Sequence, residues 1–158
     1  MIRSPPLKIH ENDKRISKHE YFLEVAKVIA LRSTCLKHKV GCILVKNNQI
    51  LSTGYNGAAR GLIHCLENGC IRAGIESGKA IEKCRAIHAE QNAIINAAKQ
   101  GTSIINSVCY CTHKPCITCL KMLYNAEISE IHYIEDYPNS YKDIGEFNIN
   151  MIKHDNGV

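Results

Sequence analysis

Two short stretches constrain this chain more than any others: His88-Ala89-Glu90 and Pro115-Cys116-Ile117-Thr118-Cys119. One imidazole nitrogen and two thiolates form a ligand set that zinc accepts in tetrahedral geometry. The two stretches lie far apart in sequence, so any fold that uses them together must bring two distant segments side by side. Three protein ligands leave a fourth position for water, which separates a catalytic zinc from a closed structural one. Glu90, two residues after the histidine, reaches such a water but is badly placed to ligate beside His88. The alternative is a closed zinc knuckle whose fourth ligand is another Cys or His, with Glu90 as an ordinary helix surface residue.

Local patterns say how the stretches are carried. Ser17 and Glu20 read as a capping box, and apolar residues from Tyr21 to Leu31 follow helical spacing, which predicts a helix over about 18–32. Val40 to Lys46 and Gln49 to Gly54 read as a β-hairpin turning at Asn47-Asn48, because Asn tolerates positive φ. Gly54-Tyr55-Asn56-Gly57 then reads as a loop. Residues 65–84 have no periodicity but hold Cys65, Cys70 and Cys84, so something other than an apolar face must order them, and a metal is the candidate. Ala89 to Gln100 reads as an alanine-rich helix stopped by Gly101, with His88 at its start. Ser107 to Thr112 reads as a buried strand, Pro115 opens a helix that ends at Asn125-Ala126, and Ile128 to Ile134 reads as another strand. The tail from Glu135 is mixed, with Asp143 to Lys153 weakly helical or irregular. Alternating strands and helices in the second half predict an α/β fold with parallel pairing there.

At 158 residues, 45% hydrophobic and 22% charged, the composition is that of a single globular domain spanning 1–158. Its expected core is about 18–137, residues 1–16 form a polar arm, and residues 65–84 form a cysteine-bearing insertion. No apolar run approaches the roughly 18 residues of a membrane span, and the start of the chain has no apolar signal region, so a cytoplasmic location is the expectation. The net charge of +5 suits an anionic small substrate and equally a plain lysine excess. No basic cluster is dense enough for a nucleic-acid groove. Nine cysteines without an export signal favour metal ligation over disulfides.

Cys116 and Cys119 are three apart and share one helix face in its first turn, where the helix dipole favours thiolate. Their sequence, together with His-x-Glu upstream, matches the signature of the zinc nucleobase deaminases. In that reading zinc lowers the pKa of its water towards about 7, and Glu90 takes the proton and returns it to the ring nitrogen and the departing amine.

The wider pattern is more specific. Arg32-Ser33-Thr34-Cys35, Lys39-Val40-Gly41, Gly54-Tyr55-Asn56-Gly57, Gly61, His64-Cys65, Ile87 to Ile94 and Pro115-Cys116-x-x-Cys119 resemble, in order, the deoxycytidylate (dCMP) deaminases over about residues 18–137. The bacterial competence-operon proteins of that family show the same resemblance. It implies a three-layer α/β/α sandwich around a mixed five-stranded sheet, as in cytidine deaminases; four strands are readable, and the fifth would come from the tail. It implies zinc-dependent hydrolysis of dCMP to dUMP and ammonia, feeding thymidylate synthesis, in a homo-hexamer with dCTP and dTTP as effectors, and with no nucleic-acid or membrane partner. By resemblance Asn56 contacts the deoxyribose, although Asn56-Gly57 also reads as a simple turn. Tyr137 resembles the family's aromatic residue near the nucleotide, and also reads as a surface tyrosine. Lys114 and Arg60 are candidates for the phosphate.

Cys35 and Cys65 sit where some dCMP deaminases bind a structural zinc. Cys70 and Cys84 join them on the chemistry of four thiolates, with His64 or His38 able to replace one thiol and free cysteines as the alternative. Cys42, Cys109 and Cys111 read as small core residues. Deamination of another base or nucleotide, and a non-catalytic zinc-stabilised competence-type binding protein, stand as the other functional readings.

Overall fold

The computed structural model describes residues 15–137 and 147–155; residues 1–14 of the expected arm and 143–146 of the expected tail element lie outside them. Helix α1 spans Lys18–Ala30. The Ser17 hydroxyl accepts from the Glu20 amide at 3.2 Å and the Glu20 carboxylate accepts from the Ser17 amide at 2.7 Å, so the capping box forms as read. Strands β1, Gly41–Lys46, and β2, Gln49–Tyr55, pair antiparallel. Asn47 and Asn48 take φ of 51° and 61° between them, the left-handed pair that a two-residue hairpin needs.

Strand β2 runs through Gly54, as read, and one residue further to Tyr55, and Gly57 opens a two-residue strand β3, Gly57–Ala58, where a loop was expected. The aperiodic stretch holds a single helical turn α2, Cys65–Asn68, and a 3-10 turn at Ile81–Lys83. Strand β4, Ala86–Ile87, pairs with β3. Helix α3, Ala89–Gln100, ends on Gly101 at φ 66°. Strand β5, Val108–His113, helix α4, Ile117–Asn125, and strand β6, Glu130–Glu135, follow. Pro115 does not open α4: the helix begins at Ile117 with Cys116 as its N-cap. The tail residues 150–153 form strand β7, Asn150–Lys153, neither helical nor irregular. Alternation of small polar and apolar residues was too short there to betray a strand. The backbone partner, β6, supplies the missing hydrogen bonds.

Five of the described strands make one mixed sheet in the order β2-β1-β5-β6-β7, antiparallel across β1 and parallel from β5 to β7. Helix α1 covers one face, where Phe22 and Leu23 pack on Ile43, Val45, Tyr110 and Ile134. Helices α3 and α4 cover the other, with Ala89, Ala93, Leu120 and Leu123 on Cys42, Leu44, Cys109, Cys111 and Ile131. Strand β1 is buried on both faces, which is why its residues read as a continuous apolar run. Cys42, Cys109 and Cys111 are fully buried core side chains, as read. The buried His132 was not anticipated; it lies on the α1 face, bonded to Glu130 at 2.5 Å and His154 at 2.7 Å.

Helix α3 is held onto β2 by more than apolar contact. Ser52 Oγ donates to the Ala93 carbonyl at 2.7 Å, Asn92 Nδ2 to the Tyr55 carbonyl at 2.8 Å, and Asn96 Nδ2 to the Thr53 carbonyl at 2.9 Å. The approach is so close at Gly54 that a Cβ there would run into the Ala89 carbonyl and the Ala93 amide. Both obstacles are backbone, so neither moves cheaply. Gly54→Ala is therefore expected to cost about 2 kcal/mol and to lower Tm by roughly 4–8 °C in thermal unfolding; an unchanged Tm would overturn this close packing.

Candidate metal centre and cleft

His88 is fixed from both sides of the chain. Ile87 before it pairs with Gly57 across the β3–β4 ladder, and Ala89 after it begins α3. The Gln91 side chain accepts from the His88 amide at 2.9 Å, which locks the entry angle. Cys116 sits where β5 turns into α4, and Cys119 lies in the first turn of α4, fully buried. The N-termini of α3 and α4 thus meet at one end of the sheet.

His88 Nδ1 stands 3.5 Å from Cys116 Sγ and 3.4 Å from Cys119 Sγ. Tetrahedral zinc with bonds of about 2.05 and 2.3 Å separates its N and S ligands by about 3.6 Å, so the donor set fits the ion. Among the described residues this is the group of His, Cys, Asp or Glu whose ligand atoms all lie within 4.8 Å of one another. The hydrogen bond with Cys119, helped by His88, lowers the Cys116 thiol to about 4. The same bond and burial push the Cys119 thiol up. Glu90 is only 4% exposed. Desolvation holds its carboxyl above the usual carboxylate range, which suits a group that must both accept and return a proton.

A cleft opens over these residues. Of the residues singled out in sequence, His88, Glu90, Cys116, Asn56, Tyr137 and Lys114 line it. Cys35, Cys65, Cys70 and Cys84 line it too. Burial first, then Cys70, Cys35 and Cys84, push the Cys65 thiol up. No three of them come within the spacing of the His88 group among the described residues. Of the two histidines offered as substitutes, His38 Nε2 bonds Ser77 Oγ at 2.9 Å, whereas His64 Nδ1 is buried with no partner among the described residues. Arg60 is exposed and is not among the residues that line the cleft.

Asn56 is more than a turn residue. Its Oδ1 accepts from Ser33 Oγ at 2.6 Å and from the Val40 amide at 2.9 Å, and its Nδ2 donates to the His38 carbonyl at 2.8 Å. It ties the end of α1 to the approach of β1, and one amide hydrogen is left to face a ligand. Sequence reasoning missed three other lining residues, Lys37, Arg72 and His113. Lys37 Nζ donates to the Ile75 carbonyl and so pins the 65–84 segment against the end of α1. Burial lowers the His113 imidazole pKa, and Glu135 lies 3.3 Å away. None of the three belongs to a motif; only the tertiary fold gathers them.

Comparison with known proteins agrees with this geometry. Residues 16–135 match the model of the cytidine and deoxycytidylate deaminase zinc-binding region. A deoxycytidylate deaminase of Schizosaccharomyces pombe is 39% identical over 131 residues, covering 82% of this chain and 40% of the yeast protein. ComE operon protein 2 of Bacillus subtilis is 40% identical over 124 residues, covering 78% of this chain and 62% of that protein. The chain thus spans less than two thirds of the length of these curated relatives. The crystal structure of a dCMP deaminase from cyanophage S-TIM5, in complex with dCMP and dUMP, superposes with a TM-score of 0.73 at 31% identity, covering 85% of this chain and 95% of the phage chain. The mixed five-stranded sheet with its flanking helices is that fold. With its ligand triplet inside the matched region, the chain belongs to the cytidine and deoxycytidylate deaminase family and carries that family's zinc-binding region.

Proposed function

We propose that this chain hydrolyses dCMP to dUMP and ammonia, supplying dUMP for thymidylate synthesis. The observation that carries the reading is the convergence of His88, Cys116 and Cys119 on one point beside a fully buried carboxylate. The S. pombe and phage S-TIM5 proteins, named for dCMP, favour cytosine on a deoxyribonucleotide as the substrate. When bound, zinc supplies the acidity that makes water nucleophilic near neutral pH. Glu90 would accept one proton from the attacking water and deliver it to the ring nitrogen, then carry the second, from the hydroxyl now on the ring carbon, to the amine, which leaves as ammonia as the carbonyl forms, so one carboxyl serves as base and acid in turn. Asn56 offers its remaining amide hydrogen to the sugar, and Tyr137 covers the base. Lys114 adds positive charge beside the zinc loop.

The reading extends to a second, structural zinc on Cys35, Cys65, Cys70 and Cys84. What supports it is their common place along one side of the cleft and the mutual influence of their thiols. Closing a four-thiolate site would draw the insertion onto the end of α1, which Lys37 already approaches. It extends further to one deaminase domain over 1–158, a cytoplasmic location, a homo-hexamer and control by dCTP and dTTP. No helix among the described residues is long and apolar enough to cross a membrane.

An ammonia-release assay with dCMP, cytidine, dCTP and guanine tests the substrate; turnover of dCMP in preference to the other three is expected, and turnover of none would sink the reading. Glu90→Gln should retain zinc and lose roughly 10²–10⁴-fold in kcat, and near-normal turnover in the zinc-loaded variant would remove Glu90 from its role. Metal analysis of the purified chain should find two zinc ions. Cys116→Ser is expected to lose the one needed for activity, and Cys70→Ser the other, with a lower Tm. A single zinc in the unaltered chain, with full stability in Cys70→Ser, rules out the structural site.

A further inference from the structure

The cleft has an uneven charge. Lys37, Arg72 and Lys114 line it, against a single carboxylate, Glu90, whose burial disfavours its charge. Among these cations Arg72 is buried, at 6% exposure, although it comes from the aperiodic insertion. One edge of its guanidinium is committed to the backbone of that same segment. Nε donates to the Lys79 carbonyl at 3.0 Å, and Nη2 to the Lys79 and Glu76 carbonyls at 2.5 and 3.3 Å. These bonds fix the plane of the fork. The other terminal nitrogen, Nη1, has no protein partner among the described residues, and neither carbonyl carries the formal negative charge that would balance the guanidinium.

A buried arginine without a carboxylate is costly to maintain. A rigid fork with a free edge inside a substrate cleft is what an oxyanion with several acceptors completes, and arginine suits phosphate because it offers parallel donors in one plane. It lines the same cleft as His88, Cys116 and Tyr137.

We propose that Arg72 is the anchor for the 5′-phosphate of the substrate, and that the 65–84 insertion exists in this cleft to hold that one side chain at a set distance from the metal centre. The inference rests on the cleft being the deaminase site, and it names the phosphomonoester as the feature that selects nucleotide over nucleoside. Lys37, which pins the same insertion, acts as a support for the anchor.

Binding is read separately from turnover, by calorimetric titration of dCMP and of deoxycytidine into the zinc-loaded Glu90→Gln protein and into the double variant with Arg72→Gln. The ratio of the two affinities should fall on the order of 30-fold or more when Arg72 is replaced, since a buried charged partner is lost from the phosphate alone. A ratio within about twofold of that in the Arg72-containing protein, including a parallel weakening of both ligands, overturns the anchor. If dCMP binds with this preference and no ammonia is released by the unaltered chain, the anchor stands and the deaminase reading falls. Should Arg72→Gln not fold, phenylglyoxal modification of the full chain read by mass spectrometry decides. Protection of Arg72 by dCMP and by inorganic phosphate, but not by deoxycytidine, supports the anchor; equal modification under all conditions overturns it.

Discussion

The close approach of β2 and α3 at Gly54 is the contact on which the rest depends. Only a residue without a Cβ lets the helix backbone come this near the strand, and the approach brings Asn92, Asn96 and Ser52 within reach of carbonyls on the facing element. Those bonds orient the first turn of α3, and with it His88 and Glu90. The short β3–β4 ladder and the Gln91 side chain then remove the remaining freedom at His88. The metal centre is thus set by backbone packing at Ala89, the residue next to His88, on rigid elements rather than on a loop.

Parallel pairing of β5 and β6 does the complementary work for the cysteines. A helix must cross between parallel strands, and α4 does so with Cys116 as its N-cap and Cys119 one turn in. Two helix N-termini facing one another make a place where negative charge is favoured. The hydrogen bond between the two cysteines then splits them, holding the Cys116 thiol low while the same bond and burial hold Cys119 high. Glu90 lies beside the same point but under enough burial to resist ionisation.

Much of the fold was legible because the relevant signals are local. The Ser17 capping box, the Asn47-Asn48 turn and the Gly101 stop each depend on a few neighbouring residues, and each forms as read. The strand at 150–153 was not legible, because its stability comes from pairing with β6 and not from its own composition. The start of α4 was misplaced for a related reason: proline is permitted in a first turn, but here it precedes the N-cap. That Gly54 lies against α3 was not legible, because a close approach to a helix leaves no trace in the strand's own pattern.

The sequence alone determined the chemistry. His88, Glu90, Cys116 and Cys119 are recognisable because metal coordination and proton transfer demand those side chains at those spacings. Tertiary structure decided what surrounds them. It left Arg60 off the cleft lining, gave Asn56 a latching role beside its place in the cleft, and carried Lys37, Arg72 and His113 to the cleft wall. Charge lining a cleft has no sequence period, because it is assembled from loops whose only common property is the side of the sheet on which the fold leaves them.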